Sequence, residues 1–115
     1  RTPVVVVLDL IHTQAHVERE LELLGPLVTP GSYVVVLDTV MEDLPAEMFA
    51  GKPYGKGNNP GTAVRAFLAR DERFEVDYAF EDRVLLTLAP GGFLRRRTDA
   101  AAATAAAAGA RAPTP

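Results

Sequence analysis

Two short runs constrain this chain more than anything else in it. Val4-Val5-Val6-Val7-Leu8-Asp9 and Tyr33-Val34-Val35-Val36-Leu37-Asp38 are apolar and rich in β-branched residues, and each stops at an aspartate. Valine is stiff at χ1 and fits extended, pleated backbone. An apolar run with no polar alternation predicts a strand buried on both faces, as in a parallel sheet covered by helices. Between the runs, Val17, Leu21, Leu24 and Val28 recur at helical spacing, which predicts a helix over Thr13–Leu24. Glu18, Glu20 and Glu22 then mostly face water, and Thr13 stands where a cap belongs. Gly25-Pro26 loosens the helix end, and Thr29-Pro30-Gly31-Ser32 reads as a turn. Strand, helix, turn and strand within about 36 residues have the length of a βαβ unit. The two strands are therefore expected to be adjacent, parallel and joined by a right-handed crossover.

Downstream, no period holds from Thr39 to Asn59, and Pro45, Gly51, Pro53, Gly55 and Gly57 mark a long loop. Asn59-Pro60 opens a second helix, with Asn as cap and Pro in the first turn, running to Arg70-Asp71. Its inner face is Ala63, Val64, Phe67 and Leu68. Phe74 to Phe80 alternates as a half-exposed strand does, and Glu81-Asp82-Arg83 is a short turn. Val84-Leu85-Leu86-Thr87-Leu88 reads as a further strand antiparallel to its predecessor, with Phe93-Leu94 a last apolar contact. The fold class expected is α/β: a partial Rossmann-like, methyltransferase-type sheet made of two parallel strands with a crossover helix, then a helix and an antiparallel strand pair. This order matches the last four strands of the seven-stranded sheet used by many S-adenosylmethionine-dependent methyltransferases. Residues 1–97 form that domain, and residues 98–115, mostly alanine, are expected to be a disordered tail.

Composition removes several alternatives. The chain has 115 residues, which suits one small domain. A net charge of −3 gives no electrostatic reason to expect nucleic acid, and Arg95-Arg96-Arg97 reads as a solvated terminus, with a phosphate-binding patch as the alternative. There is no cysteine, so disulfides, thiolate metal sites and a cysteine nucleophile are excluded. No apolar run approaches the roughly 18–20 residues that span a bilayer, and a cytoplasmic location is the default expectation. A buried-type strand begins two residues after Arg1, from which a truncation with further elements upstream is expected.

In open α/β sheets ligands bind outside the carboxyl ends of the strands. Asp9 and Asp38 stand at two such ends, with His12 three residues beyond the first. Carboxylates and an imidazole on neighbouring strand ends can hold a hard cation or act as acid and base. Capping of the following turns is the structural alternative for the same residues. His16 lies one helical turn further on and reads as a surface residue. Gly51-Lys52-Pro53-Tyr54-Gly55-Lys56-Gly57 lacks the spacing of a phosphate loop and does not join a strand to a helix. It reads instead as a substrate loop, with Lys52, Tyr54 and Lys56 near the pocket, or as a surface loop without ligand. Ser32, in a turn, is the only serine, which argues against a serine triad.

Several segments together resemble one family. Asp9-Leu10-Ile11-His12-Thr13, Glu20 through Tyr33, Val36-Leu37-Asp38-Thr39, Gly57-Asn58-Asn59-Pro60, Phe74-Glu75-Val76-Asp77 and Pro90 through Arg96 are similar to the cephalosporin hydroxylase / rhamnosyl O-methyltransferase family. The resemblance implies a Rossmann-like methyltransferase domain that binds S-adenosylmethionine beside a Mg2+ held by carboxylates, acts on hydroxyls of sugars or other small molecules, and forms oligomers. Carried over residue by residue, it implies Asp9 and His12 as catalytic and Asp38 as a metal ligand. The chain departs from the family pattern in three places. Ile11 stands where an acidic or amide residue belongs, Leu37 stands for the Glu of a Glu-Asp pair, and the Gly-rich cofactor loop is not in this sequence. The expectation is a fragment or divergent member that binds S-adenosylmethionine weakly or not at all unless an N-terminal half completes it. The alternative is a non-catalytic remnant or oligomerisation subunit. An oxidative hydroxylase finds no two-His-one-carboxylate spacing for iron.

Overall fold

The computed structural model describes residues 2–9 and 11–98. It is a mixed α/β unit: β1 (Val6–Leu8), α1 (Gln14–Leu24), β2 (Tyr33–Val36), α2 (Pro60–Arg70), β3 (Phe74–Val76), α3 (Tyr78–Val84) and β4 (Phe93–Arg96). The four strands form one sheet in the order β1-β2-β4-β3. As the sequence predicts, β1 and β2 are parallel neighbours, with Val6, Val7 and Leu8 opposite Val34, Val35 and Val36. β4 lies between β2 and β3 and is antiparallel to both.

The core is built from one face of this sheet. Leu8, Val34, Val36, Leu94 and Phe74 pack against Val17 and Leu21 of α1 and Ala63, Val64 and Phe67 of α2. Leu21, Val34, Val36, Phe67 and Leu94 are each exposed by under 2 %. At roughly 1.5–3 kcal/mol per fully buried large apolar side chain, this layer supplies most of the driving force for folding. The helical inner faces fall where the spacing put them, with Val17, Leu21 and Val28 buried. Glu20 departs from expectation: it is only 17% exposed and lies 3.5 Å from His16.

The start of α2 follows its local sequence. Asn59 and Thr62 form a reciprocal capping box, and Pro60 occupies the first turn. Gly61 is required for packing, because a Cβ there would stand 2.8 Å from the Thr39 carbonyl oxygen. Gly92 is required for the same reason: a Cβ there would clash with the Val36 carbonyl oxygen, where the chain enters β4 alongside β2.

Three expectations are corrected. First, β1 is not buried on both faces: Val5 and Val7 are 55% and 59% exposed. On the second face of the sheet α3 packs through Phe80 against Tyr33 of β2 and Phe93 of β4, away from the exposed valines of β1. Second, Val84–Leu88 is not a strand. Tyr78–Val84 is helical, with Asp77 capping through a bond to the Phe80 amide, and Leu85 and Leu86 are 90% and 92% exposed. Third, the antiparallel partner of Phe74–Val76 is Phe93–Arg96, which is an interior strand rather than a last contact. The reason is hydrogen bonding. Leu85 adopts a left-handed φ of 61°, which breaks any ladder there, whereas β4 can bond to β2 and β3 at once. Thr98 is exposed, and the rest of the alanine-rich tail lies outside the described residues. No described helix is long and apolar enough to cross a membrane.

Candidate functional site

The parallel register fixes where the chemistry gathers. Leu8 faces Val36, and the Leu37 amide donates to the Leu8 carbonyl at 3.1 Å, so β1 and β2 end side by side. Asp9 follows the last residue of β1. Asp38 lies two residues past β2 in a left-handed conformation (φ 61°, ψ 22°), which Asp tolerates better than most residues. Its carbonyl accepts from the Met41 amide and begins a short 3-10 turn, Thr39–Asp43. Thr39 is buried, and its hydroxyl donates to the Pro90 carbonyl at 2.7 Å, tying the β2 end to the turn before β4.

His12 sits in the connection between β1 and α1. Its Nε2 lies 3.0 Å from Asp38 Oδ2, with both side chains about a quarter exposed (25% and 26%). Asp9 is exposed. One donor atom from each of Asp9, His12 and Asp38 lies within 4.8 Å of the other two. The three residues singled out in the sequence therefore converge at the carboxyl ends of the parallel pair. The donor set is two carboxylate oxygens and one imidazole nitrogen, which suits a divalent cation that keeps part of its water.

The long loop brings one of its three sequence-flagged residues to this cluster. Tyr54 packs edge-on against the His12 ring at 5.0 Å between centroids, and Phe49 packs against Tyr54 at 6.1 Å. Lys56 is turned away, donating through Nζ to the Glu42 carbonyl at 2.9 Å. Lys52 is exposed. A surface groove of about 280 Å³ lies between α2, α3 and Pro90-Gly91, and none of Asp9, His12 and Asp38 lines it.

Two asparagines hold the loop against the helices. The Asn58 Oδ1 accepts from the Gln14 amide at 2.7 Å, so the cap of α1 comes from a residue 44 positions away. Thr13 occupies the cap position, but its side chain makes no capping bond. Asn59 is fully buried, and its Nδ2 donates to Glu42 Oε1 at 3.0 Å and to the Gly55 carbonyl at 2.8 Å. Glu42 also accepts from the Gly57 amide at 2.9 Å. That backbone bond, aided by Asn59, Arg65 and Lys56, holds the Glu42 carboxyl below its ordinary range. The sequence signals Asn59 through the following Pro60, whereas the roles of Asn58 and Glu42 depend on loop closure that no local pattern encodes.

Away from the cluster, the Tyr33 hydroxyl donates to Asp77 Oδ2 at 2.6 Å on the far face of the sheet. This bond is the largest cause of a lowered Asp77 pKa and a raised Tyr33 pKa.

The family described as Rhamnosyl O-methyltransferase/CmcI matches residues 1–97. Proteins named Rhamnosyl O-methyltransferase from Mycobacterium bovis (strain BCG / Pasteur 1173P2) and Mycobacterium tuberculosis (strain ATCC 25618 / H37Rv) are each 35% identical over 94 residues. The matched stretch covers 78% of this chain and 35% of each relative, so the chain spans about a third of their length. No solved structure matches it.

Proposed function

Because the chain belongs to the Rhamnosyl O-methyltransferase/CmcI family, we propose that it forms the acceptor-side part of an S-adenosylmethionine-dependent O-methyltransferase acting on a hydroxyl of a sugar or other small molecule. The sheet supports a Rossmann-like reading, because β4 enters antiparallel between β2 and β3. That is the arrangement expected for the closing strands of a methyltransferase sheet. The observation that carries the proposal is the convergence of Asp9, His12 and Asp38 at the carboxyl ends of β1 and β2. In this reading Asp9 and His12 hold an acceptor hydroxyl and take its proton, and Asp38, whose Oδ2 lies 3.0 Å from His12 Nε2, orients the imidazole. Tyr54 adds an apolar ring beside His12, suited to the C–H face of a sugar.

The two implied groups fit this chain differently. The carboxylates of Asp38 and Asp9 would hold a divalent cation, which when bound lowers the pKa of a coordinated hydroxyl. S-adenosylmethionine finds no cradle in the described residues. The β1–α1 connection contains no glycine, and the positive-φ glycines 31, 51, 57 and 91 do not join a strand to a following helix. In this reading the cofactor is bound by further polypeptide that completes the sheet beside β1, over Val5 and Val7.

The test is methyl transfer to a rhamnoside by this chain co-produced with the N-terminal part of a mycobacterial relative. Asp38→Asn removes the carboxylate that orients the His12 imidazole, and it is expected to reduce turnover at least about a hundredfold, the low end of what a positioned general base contributes. Turnover equal to the unsubstituted chain would overturn the assignment. Among the described residues β1 is an edge strand, which favours a second reading, a non-catalytic subunit that associates through that edge. Sedimentation showing a monomer at high concentration would rule it out.

A further inference from the structure

We infer that Asn58 is a positioning residue for His12: one side chain anchors the start of α1, just after His12, and also the loop that presses Tyr54 against the His12 ring. His12 has this importance under the proposed reading, on which the inference rests, in which it takes the acceptor proton. The residue next to His12 does not fix the helix start. Thr13 has the extended backbone of a cap (φ −77°, ψ 145°), but its side chain makes no capping bond. First-turn amides find no partner within their own helix, so an uncapped end frays. Asn58 Oδ1 supplies the partner, accepting from the Gln14 amide at 2.7 Å from 44 positions along the chain.

The same residue closes the loop that carries Tyr54. The Asn58 amide donates to the Gly55 carbonyl at 3.0 Å, and the Gly55 amide donates back to the Asn58 carbonyl at 2.9 Å. Asn58 Nδ2 adds a longer bond to the Pro53 carbonyl at 3.3 Å. Residues 53–58 are thereby drawn into a tight loop, which Gly57 permits by adopting a φ of 79°. Tyr54, inside that loop, meets the His12 ring edge-on at 5.0 Å, and Phe49 packs against Tyr54 at 6.1 Å.

Two routes therefore run from Asn58 to His12, one through the backbone that enters α1 and one through Tyr54. The bond between His12 Nε2 and Asp38 Oδ2, at 3.0 Å, fixes one atom of the ring and leaves it free to swing about that point. A fixed backbone at Gln14 and the edge of Tyr54 remove that freedom, which is what a reacting group needs from its surroundings. Substitutions at this position separate the anchor from the fold, because Asn58 is exposed and outside the core. Asp keeps an oxygen that accepts from the Gln14 amide, and its charge suits a helix N-terminus. Ala keeps neither side-chain bond.

The experiment is proton NMR of the histidine rings joined to amide hydrogen exchange, both on the full chain. The chain has only two histidines, so His16→Ala assigns the rings, and Tyr54→Leu gives the shifts of a His12 ring without its aromatic neighbour. Asn58→Ala is expected to move the His12 ring protons at least halfway to their Tyr54→Leu positions. It is also expected to speed exchange of the Gln14 amide about fivefold, the fold-change that a cap of ordinary strength represents. Asn58→Asp should leave both measurements close to those of the unsubstituted chain. Faster Gln14 exchange with the His12 ring unmoved would reduce Asn58 to a helix cap and overturn the inference. An Asp variant whose ring protons sit at the Tyr54→Leu positions would overturn it as well, and that variant decides the matter should Asn58→Ala fail to fold. In the enzyme completed by the N-terminal part of a relative, Asn58→Ala should lower kcat at least about tenfold, within the roughly hundredfold that a small misplacement costs, and Asp should restore it. Absence of methyl transfer by the unsubstituted pair would defeat the methyltransferase reading and leave the ring measurement standing.

Discussion

Asn59→Ala removes more than a helix cap. The side chain is fully buried and makes three bonds: Oδ1 accepts from the Thr62 amide at 3.1 Å, and Nδ2 donates to Glu42 Oε1 at 3.0 Å and the Gly55 carbonyl at 2.8 Å. Loss of the cap alone costs about 1 kcal/mol. A bond to a charged group contributes about 1.5–3 kcal/mol and a neutral one about 1 kcal/mol, and the bonds are not additive because they share one side chain. The expected destabilisation is about 3 kcal/mol, a large share of the roughly 5–15 kcal/mol by which a domain is stable. Urea unfolding followed by circular dichroism measures it. The melting temperature should fall by more than about 10 °C, from a slope of roughly 4–8 °C per kcal/mol at this size. Asn59→Asp separates the terms. Asp caps as well as Asn does, yet it replaces the donor facing Glu42 with a second carboxylate. It is expected to lose at least half as much stability as Asn59→Ala at neutral pH. An Asp variant as stable as the unsubstituted chain would refute the reasoning, because the Nδ2 bonds would then contribute nothing.

Acid should weaken the fold through Glu42, Asp71 and Asp77, all held below their ordinary carboxyl range in the native state. For a group with a lowered folded pKa, the stabilisation is complete above the unfolded value, near 4, and is lost as pH falls through the folded value. Glu42→Gln should therefore flatten the acid limb of a plot of stability against pH, and an unchanged limb would sink the assignment. Tyr33 has the opposite sense. Its raised pKa gives stabilisation that is present below about 10 and lost as pH rises through the folded value, so Tyr33→Phe should flatten the alkaline limb. Leu86→Ser should change stability by under about 0.5 kcal/mol, because the side chain is 92% exposed, whereas Leu94→Ala in the sheet interior should cost about 2–5 kcal/mol. Equal losses in chemical denaturation would place Val84–Leu88, not Phe93–Arg96, in the sheet.

The sequence by itself determined the parallel pair, the two covering helices and the aspartates at the strand ends. Those features are local. Val34 and Val36 alternate with Tyr33 and Val35 over one strand, Val17 and Leu21 share one helical face, and Asn59-Pro60 starts a helix by its own hydrogen-bonding chemistry. Asp9, His12 and Asp38 were legible because parallel strands that start in register also end together. Tertiary structure decided the rest. Two apolar segments near the end compete for one place between β2 and β3, and periodicity cannot rank them. Phe93–Arg96 takes that place because its backbone can bond on both sides while Gly92 lets it approach Val36. The exposed face of β1 could not be read either, since an unbroken valine run reports that both faces are apolar and not whether anything covers them. Asn58 caps α1 across 44 residues for the same reason: side-chain chemistry fixes what a residue can bond, and only chain closure fixes what it meets.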